Sequence, residues 1–373
     1  MTGKRIRHYC VDCGTEFPHG FTPRCPRCRG MVEVEYDLAQ ARIRDGGAPL
    51  ERYFDLLPIR DPRNLLSVGE GNTPCVHARS LGGALGLRNV YLKVECRNPT
   101  GTTKDRMAVA VLSMFRELGI REFVTSSTGN SSNALAHAIQ RHPGFTMHLY
   151  MGEAFRSRFR YEGNGVEVHA LEGTDFSGAF YYARDLAKAR GLPFEGGFFN
   201  PARREGLKLA YFEAVEQIPA DIDWYFQASS SAMGVNGTAK GARELLALGR
   251  IKRIPRMVCV QQETCCPIVD AFEEGSPTIK PHHIVEQPHG IAEAILRGNP
   301  TGCYPYVYRM LRETNGLAVR VAEAEIRAGQ RELQEREGVV CSPDGATTVA
   351  ALRKLAARGA VAPADVVMLN VTG

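Results

Sequence analysis

The strongest constraint on this chain is an alternation that runs through most of its length. Short apolar segments of strand length are separated by amphipathic stretches of helical period. Candidate strands lie at residues 90–94, 123–126, 146–151, 166–171, 224–228, 256–260 and 366–369. After Lys104 the apolar positions are Met107, Ala108, Val111, Leu112, Phe115 and Leu118, which follow a 3.6-residue repeat. Residues 176–190, 205–217 and 238–248 repeat that style. Strand–helix alternation predicts an α/β protein with mostly parallel sheets and helices on both faces. A chain of 373 residues has room for two such units and something smaller.

Composition narrows the function classes. Hydrophobic residues make up 44% and charged residues 23%, the balance of a packed globular protein. No apolar run reaches the roughly 18 residues of a membrane helix. The basic start lacks the apolar core of a secretory signal, so the expected location is the cytoplasm. The formal net charge is +5. Much of it sits in Lys4, Arg5, Arg7, Arg24, Arg27 and Arg29, a front that could touch nucleic acid. The acids Glu33, Glu35 and Asp37 follow at once and blunt it, which makes nucleic acid a poor partner.

The chain has 11 cysteines. Cys10, Cys13, Cys25 and Cys28 form two C-x-x-C knuckles, with Gly14, Pro23, Pro26 and Gly30 as turn residues. Four thiolates close a tetrahedral shell with no open position, so residues 1–36 read as a ribbon around a structural zinc, with iron as the chemical alternative. Cys75, Cys96, Cys259, Cys265, Cys266, Cys303 and Cys341 have no such spacing and read as small buried hydrophobes.

In parallel sheets, ligands gather where strands give way to helices. Four such places carry chemistry. Asn98-Pro99-Thr100-Gly101-Thr102-Thr103-Lys104-Asp105-Arg106 opens a helix with a lysine. The positive end of a helix favours the neutral, nucleophilic amine, which condenses with aldehydes. A solvated lysine beside a Thr103 cap is the plainer alternative. Ser126-Ser127-Thr128-Gly129-Asn130-Ser131-Ser132-Asn133 is denser in small donors than one helix cap requires, and suits a carboxylate. Ser229-Ser230-Ser231-Ala232-Met233-Gly234 suits a phosphate, although it is no Walker loop. Val366–Gly373 is an apolar strand that ends on the hydroxyl of Thr372.

Together these segments resemble the threonine synthase family of fold type II pyridoxal-phosphate enzymes. Asn98–Arg106 is similar to that family's NPTGSFKDR lysine motif, and Gly69-Glu70-Gly71-Asn72-Thr73-Pro74 to its GEGNTP segment. Ser127-Thr128-Gly129-Asn130 matches its STGN loop, and Asn200-Pro201 through Glu205-Gly206-Leu207-Lys208 its NPxRxEGxK segment. Gly298-Asn299-Pro300 and Ser342-Pro343-Asp344-Gly345-Ala346 also have counterparts there. Some members, cysteate-synthase-like ones included, carry an N-terminal zinc ribbon. This chain departs from the pattern where the phosphate loop is serine-rich, where Ser342 replaces a frequent glutamate, and where Phe155-Arg156-Ser157-Arg158-Phe159-Arg160 replaces a small polar stretch.

The resemblance implies a tryptophan synthase β-like fold with two parallel-sheet domains. Residues 37–105 and 200–373 would form the large cofactor domain, and 106–199 the small one. Lys104 would hold pyridoxal 5′-phosphate and act as the general base. Asn130 would meet the ring hydroxyl, Ser229, Ser230, Ser231, Ala232, Met233 and Gly234 the cofactor phosphate, and Thr372 the pyridine nitrogen. Ser127, Thr128, Gly129, Ser131 and Ser132 would take the substrate carboxylate. Arg156, Arg158 and Arg160 read as a grip for an anionic group on the substrate, or as a solvated basic edge. The implied reaction is conversion of O-phosphohomoserine and water to threonine and phosphate, by a cytoplasmic homodimer. The alternative is β-replacement on O-phosphoserine, as in cysteate synthases. A zinc-ribbon protein that kept the fold for nucleic-acid binding or regulation is the reading from another class.

Overall fold

The computed structural model describes residues 4–174 and 176–373, so the first three positions of the expected ribbon lie outside the described residues. The strands are β1 Ile6–Cys10, β2 Glu16–Phe17, β3 Val32–Tyr36, β4 Cys75–His77, β5 Asn89–Lys93, β6 Glu122–Ser126, β7 Thr146–Gly152, β8 Val166–Leu171, β9 Trp224–Ala228, β10 Arg256–Gln262, β11 Leu317–Val321 and β12 Val366–Asn370. The seven expected strands are present within two residues at each end. The chain divides into two compact units, Met1–Gly71 with Lys104–Leu207, and Asn72–Thr103 with Lys208–Gly373. This division places the connector 37–71 with the ribbon and residues 104–207, whereas the expected boundaries grouped it with the larger part.

The first unit holds two sheets. β2, β1 and β3 form an antiparallel ribbon, and β6, β7 and β8 a parallel sheet. Its longer helices are Lys104–Glu117, Asn130–Arg141, Phe176–Arg190 and Pro201–Leu207. The apolar stripe of Lys104–Glu117 is buried as its period requires, with Met107, Val111, Leu112 and Phe115 fully covered. The Phe115 ring lies edge-on to Phe21 at 4.9 Å and to Phe123 at 5.1 Å, which ties the front segment to helix and sheet. Further ties join the ribbon to its unit. Tyr36 donates to Glu205 at 2.7 Å, Arg204 to the Val32 carbonyl at 2.6 Å, and the Arg24 guanidinium lies 3.3 Å from the Phe199 ring centre. His8 meets His19 at 3.2 Å, and His19 meets Glu117 at 2.7 Å. Burial pushes His8 down to about 4, so this buried ring stays neutral at physiological pH.

The second unit is a six-stranded sheet in the order β11-β10-β9-β12-β5-β4. All neighbours run parallel except the edge strand β4, which is antiparallel to β5. β12, the last strand in sequence, therefore lies inside the sheet between β9 and β5. Its Val367, Met368 and Leu369 are fully buried, consistent with the apolar run of a central parallel strand. β4 and β11 were not legible in sequence. The first has three residues, and both lie at sheet edges where apolar patterning is weak.

The helix expected over 205–217 is in fact two, Pro201–Leu207 and Leu209–Gln217. The division between units falls at Lys208, whose buried ammonium turns to Glu244 at 2.7 Å. In the first half, a Cβ on Gly206 would stand 2.4 Å from the Arg106 carbonyl oxygen. Only glycine lets these two helices approach so closely.

One buried ion pair anchors the second unit. Lys93 Nζ bonds Glu213 at 2.8 Å, the Thr73 carbonyl at 2.6 Å and Gln217 at 3.0 Å. The other Glu213 oxygen accepts the Asn72 amide at 2.9 Å. Both charged side chains are wholly buried. Removing one partner leaves an uncompensated charge, so Glu213→Ala should cost about 3–5 kcal/mol. A urea midpoint equal to that of the wild type would contradict this.

Candidate active site

In the second unit, β9 leads through Ser229–Ala232 into the helix Met233–Ala247. Ser229 belongs to the scaffold. Its amide bonds the Val260 carbonyl at 2.8 Å, its hydroxyl donates to the Gln227 carbonyl at 3.0 Å, and its carbonyl accepts from Gln261. The half-buried hydroxyls of Ser230 and Ser231 make no hydrogen bond among the described residues. Ala232 sits at the helix start in a left-handed conformation, φ 54° and ψ 26°, and no side chain caps the helix. A non-glycine residue held there is strained. The first-turn N–H groups of Met233, Gly234 and Val235 thus have no capping oxygen from the preceding residue. Asn236 Nδ2 and Thr238 Oγ1, both buried on this helix, are without a hydrogen-bond partner. An uncapped helix start with unsatisfied donors behind it is the donor set a phosphate ester satisfies.

The underside of this loop was not legible in sequence. A Cβ on Gly234 would stand 2.5 Å from the Gln227 side chain. Gln227 Oε1 accepts from the Tyr225 hydroxyl at 2.9 Å, and that hydroxyl accepts from Asn370 Nδ2 at 3.0 Å. This relay links β9 to β12 beneath the loop. The only hint was polar Gln227 and Asn370 at the ends of apolar strands.

β12 runs out into Val371-Thr372-Gly373. The Cys96 amide bonds the Val371 carbonyl at 3.0 Å, and the Thr103 amide donates to the Thr372 hydroxyl at 3.1 Å. A hydroxyl that accepts this amide keeps its own proton to donate elsewhere. Cβ atoms on Gly345 and Gly373 would stand 2.2 Å from the Thr372 carbonyl oxygen and 2.0 Å from the Gly101 carbonyl oxygen. Cys341 and Cys96 flank the same turn. Burial pushes Cys341 up to about 12 and raises Cys96 as well, so both are neutral thiols and not nucleophiles.

The first unit carries the remaining expected site residues. Lys104 follows Thr103 directly and is the first residue of its helix, as the lysine motif predicts. β6 ends at Ser126, and Asn130 opens the next helix. Ser127 Oγ accepts the amides of Gly129 and Ser132, both at 3.2 Å, and Ser132 Oγ donates to the Gly129 carbonyl at 2.8 Å. These two hydroxyls hold the loop. The Ser126 hydroxyl, by contrast, is buried without a partner. Those of Thr128 and Ser131 make no hydrogen bond among the described residues.

The three arginines separate. Arg158 packs over the loop, with its Cβ, Nε and Cζ 3.5–3.6 Å from where a Cβ on Gly129 would stand. Asn133 clamps this segment through the Arg158 carbonyl at 2.9 Å and the Arg160 amide at 3.0 Å. Arg156 pairs with Glu162, and Arg160 is exposed. Upstream, Glu70 accepts from Val68 at 2.8 Å and Ser67 at 3.0 Å. Burial raises its pKa against those bonds.

The four knuckle cysteines converge in the same unit, with all sulfurs within 4.8 Å of one another. Cys10 and Cys28 Sγ are 3.5 Å apart, and Cys13 and Cys25 Sγ 3.7 Å. The edge of a ZnS₄ tetrahedron with 2.3 Å bonds is about 3.8 Å. Each knuckle closes with a left-handed residue, Gly14 at φ 71° and Arg29 at φ 66°. Gly30, expected as the second turn residue, instead gives clearance: a Cβ there would stand 2.4 Å from Asp12 and 2.9 Å from Cys10 Sγ.

Comparison with known proteins agrees with this geometry. Residues 66–373 match the family model described as "Pyridoxal-phosphate dependent enzyme". A threonine synthase of Methanosarcina acetivorans is 31% identical, over 98% of this chain and 90% of its own. A threonine synthase of Methanocaldococcus jannaschii is 29% identical over 98% and 91%. A cysteate synthase of Methanospirillum hungatei is 25% identical over 100% and 90%. Among solved structures, a processed threonine deaminase isoform 2 of Solanum lycopersicum superposes with a TM-score of 0.67 at 17% identity, covering 89% of this chain and 92% of that one. That likeness speaks for the fold alone. The chain belongs to the pyridoxal-phosphate dependent enzymes of fold type II, among the relatives of threonine synthase.

Proposed function

We propose that this enzyme converts O-phosphohomoserine and water to threonine and phosphate. The supporting observation is the junction at Thr103 and Lys104, where a lysine opens a helix directly after an amide held by Thr372, in a chain matched end to end by threonine synthases. Bound pyridoxal phosphate supplies an electron sink that acidifies protons on the amino-acid substrate. Lys104 holds the cofactor covalently, and its Nζ then takes and returns those protons. The helix start favours the neutral amine this requires. Asn130 meets the ring hydroxyl, and the amides of Met233 and Gly234 with the Ser230 and Ser231 hydroxyls hold the phosphate. Thr372 donates its free O–H to the ring nitrogen. A hydroxyl cannot keep that nitrogen protonated as a carboxylate would, which moderates the sink and suits elimination and replacement.

The amino-acid carboxylate seats on the Thr128 and Ser131 hydroxyls and the amides at the Asn130 helix start. Ser127 and Ser132 shape that seat from behind. Of the three arginines, Arg158 is the one packed over the Gly129 loop, and we assign it to the substrate's phosphate on that placement; Arg156 pairs with Glu162 and Arg160 is exposed. β-Replacement on O-phosphoserine is the second reading, supported by cysteate synthases that match the whole chain at lower identity. Phosphate release from O-phosphohomoserine compared with O-phosphoserine decides between them. Turnover of only the second would overturn the first. By the same resemblance we place the enzyme in the cytoplasm as a homodimer, a state that light scattering checks. Among the described residues no helix is long and apolar enough to cross a membrane.

We assign a structural zinc to Cys10, Cys13, Cys25 and Cys28, whose sulfur spacing fits the ion. A Cys10→Ser, Cys13→Ser double variant should lose one metal per chain by elemental analysis and keep its bound cofactor. Wild-type protein with neither zinc nor iron would refute the assignment.

Lys104→Ala should still bind the cofactor but lose the covalent link. Borohydride followed by mass spectrometry should mark Lys104 in the wild type and nothing in the variant, and turnover should fall about 10³-fold or more. A different marked lysine would remove this residue from the mechanism. Ser231→Asp should weaken cofactor affinity at least about tenfold, or ~1.4 kcal/mol, relative to Ser231→Ala, because it sets a like charge beside the phosphate. Equal affinities would place the phosphate elsewhere.

A further inference from the structure

Outside the residues used above, the parallel sheet of the first unit brings together a second set of metal-ligating side chains. His148 on β7 stands opposite Glu167 on β8, and Tyr150 opposite His169. Strand side chains alternate between faces, so His148, Glu167 and His169 share one face. One ligand atom from each lies within 4.8 Å of the others. On β6, Glu122 faces the same group and holds His148 Nε2 at 2.8 Å.

The hydrogen bonding of His148 is the informative part. With Nε2–H donating to Glu122, Nδ1 of the neutral ring presents a lone pair. That nitrogen lies 2.9 Å from Glu167 Oε2, the distance of an ion pair when the ring is protonated there, in a geometry that makes no hydrogen bond. His169 Nε2 is buried, has no hydrogen-bond partner, and lies 4.0 Å from the same carboxylate oxygen. With both rings neutral, two ring nitrogens and one carboxylate oxygen converging on a point repel one another, and a proton or a metal cation between them relieves that. Side-chain exposure is 8% at His148 and 39% at His169, so the point is reachable from solvent past His169 and Glu167. The Tyr150 ring stacks on His169 at 4.4 Å and holds its plane. Glu122 and Glu167 supply two negative charges against the nearby Arg190.

We propose that His148 Nδ1, Glu167 Oε2 and His169 Nε2 bind a late first-row divalent cation, zinc foremost. Glu122 orients His148 from behind, the carboxylate–histidine–metal arrangement that fixes a ligand's tautomer. Two imidazoles and a carboxylate suit this class of ion better than calcium or magnesium. A fourth position is left to water. The ion braces β8, an edge strand, against β7, and its role is structural because among the described residues no other metal-ligating group joins this cluster.

The test is equilibrium dialysis of the holoenzyme against micromolar zinc, with bound metal counted by mass spectrometry. Wild type should hold one more ion per chain than His169→Ala or Glu167→Gln. Glu122→Gln should keep the stoichiometry and weaken this ion about tenfold or more. Glu167 is exposed, so Glu167→Gln leaves the fold intact, and an unchanged melting midpoint in chelator confirms that. Equal zinc content in wild type and both ligand variants overturns the proposal. The result is independent of the cysteine ribbon, because it is a difference between proteins that share it.

Discussion

The last strand of the chain leaves the sheet through a turn too tight for a Cβ at Gly345 or Gly373. A Cβ on Gly345 would clash with the Thr372 carbonyl oxygen, and one on Gly373 with the Gly101 carbonyl oxygen. Because β12 lies inside the six-stranded sheet, this exit is rigid. It receives the Thr103 amide on the Thr372 hydroxyl, and so fixes the backbone one residue before Lys104. Thr103 is held by a strand from far along the chain.

Two helix starts in this protein solve the same problem in opposite ways. The helix at Asn130 is served from within, since Ser127 accepts the Gly129 and Ser132 amides. The helix at Met233 has an alanine in a left-handed conformation and no cap. The first start has part of its donor set satisfied by the chain's own serine, and the second leaves its donors open. Gln227, Tyr225 and Asn370 are joined by hydrogen bonds, with the Gln227 side chain against Gly234. Serine-rich sequence looks alike in both loops, and only the hydrogen bonds tell them apart.

Much of the architecture was legible because it depends on short-range periodicity. Seven strands and the helix at Lys104 follow from apolar spacing, and the lysine motif falls where strand gives way to helix. The helix break at Lys208 was hidden, because apolar spacing runs on through it and its buried partner, Glu244, lies well along the chain. The three arginines at 156, 158 and 160 also read alike. Glu162 and Gly129 separate them only once the chain is folded. Likewise Gly30 reads as a turn residue, while in the fold it clears space beside a cysteine sulfur.

The sequence by itself determined the α/β class, the paired cysteine knuckles, the lysine at a helix start and the family these residues resemble. Each is written in local spacing or in a contiguous motif. Tertiary structure alone decided which serines brace and which remain open, which arginine overlies the Gly129 loop, and which amide Thr372 accepts. It alone set His148 against Glu167 and His169 across two strands. These depend on contacts between residues far apart in the chain, and local spacing carries no record of such contacts.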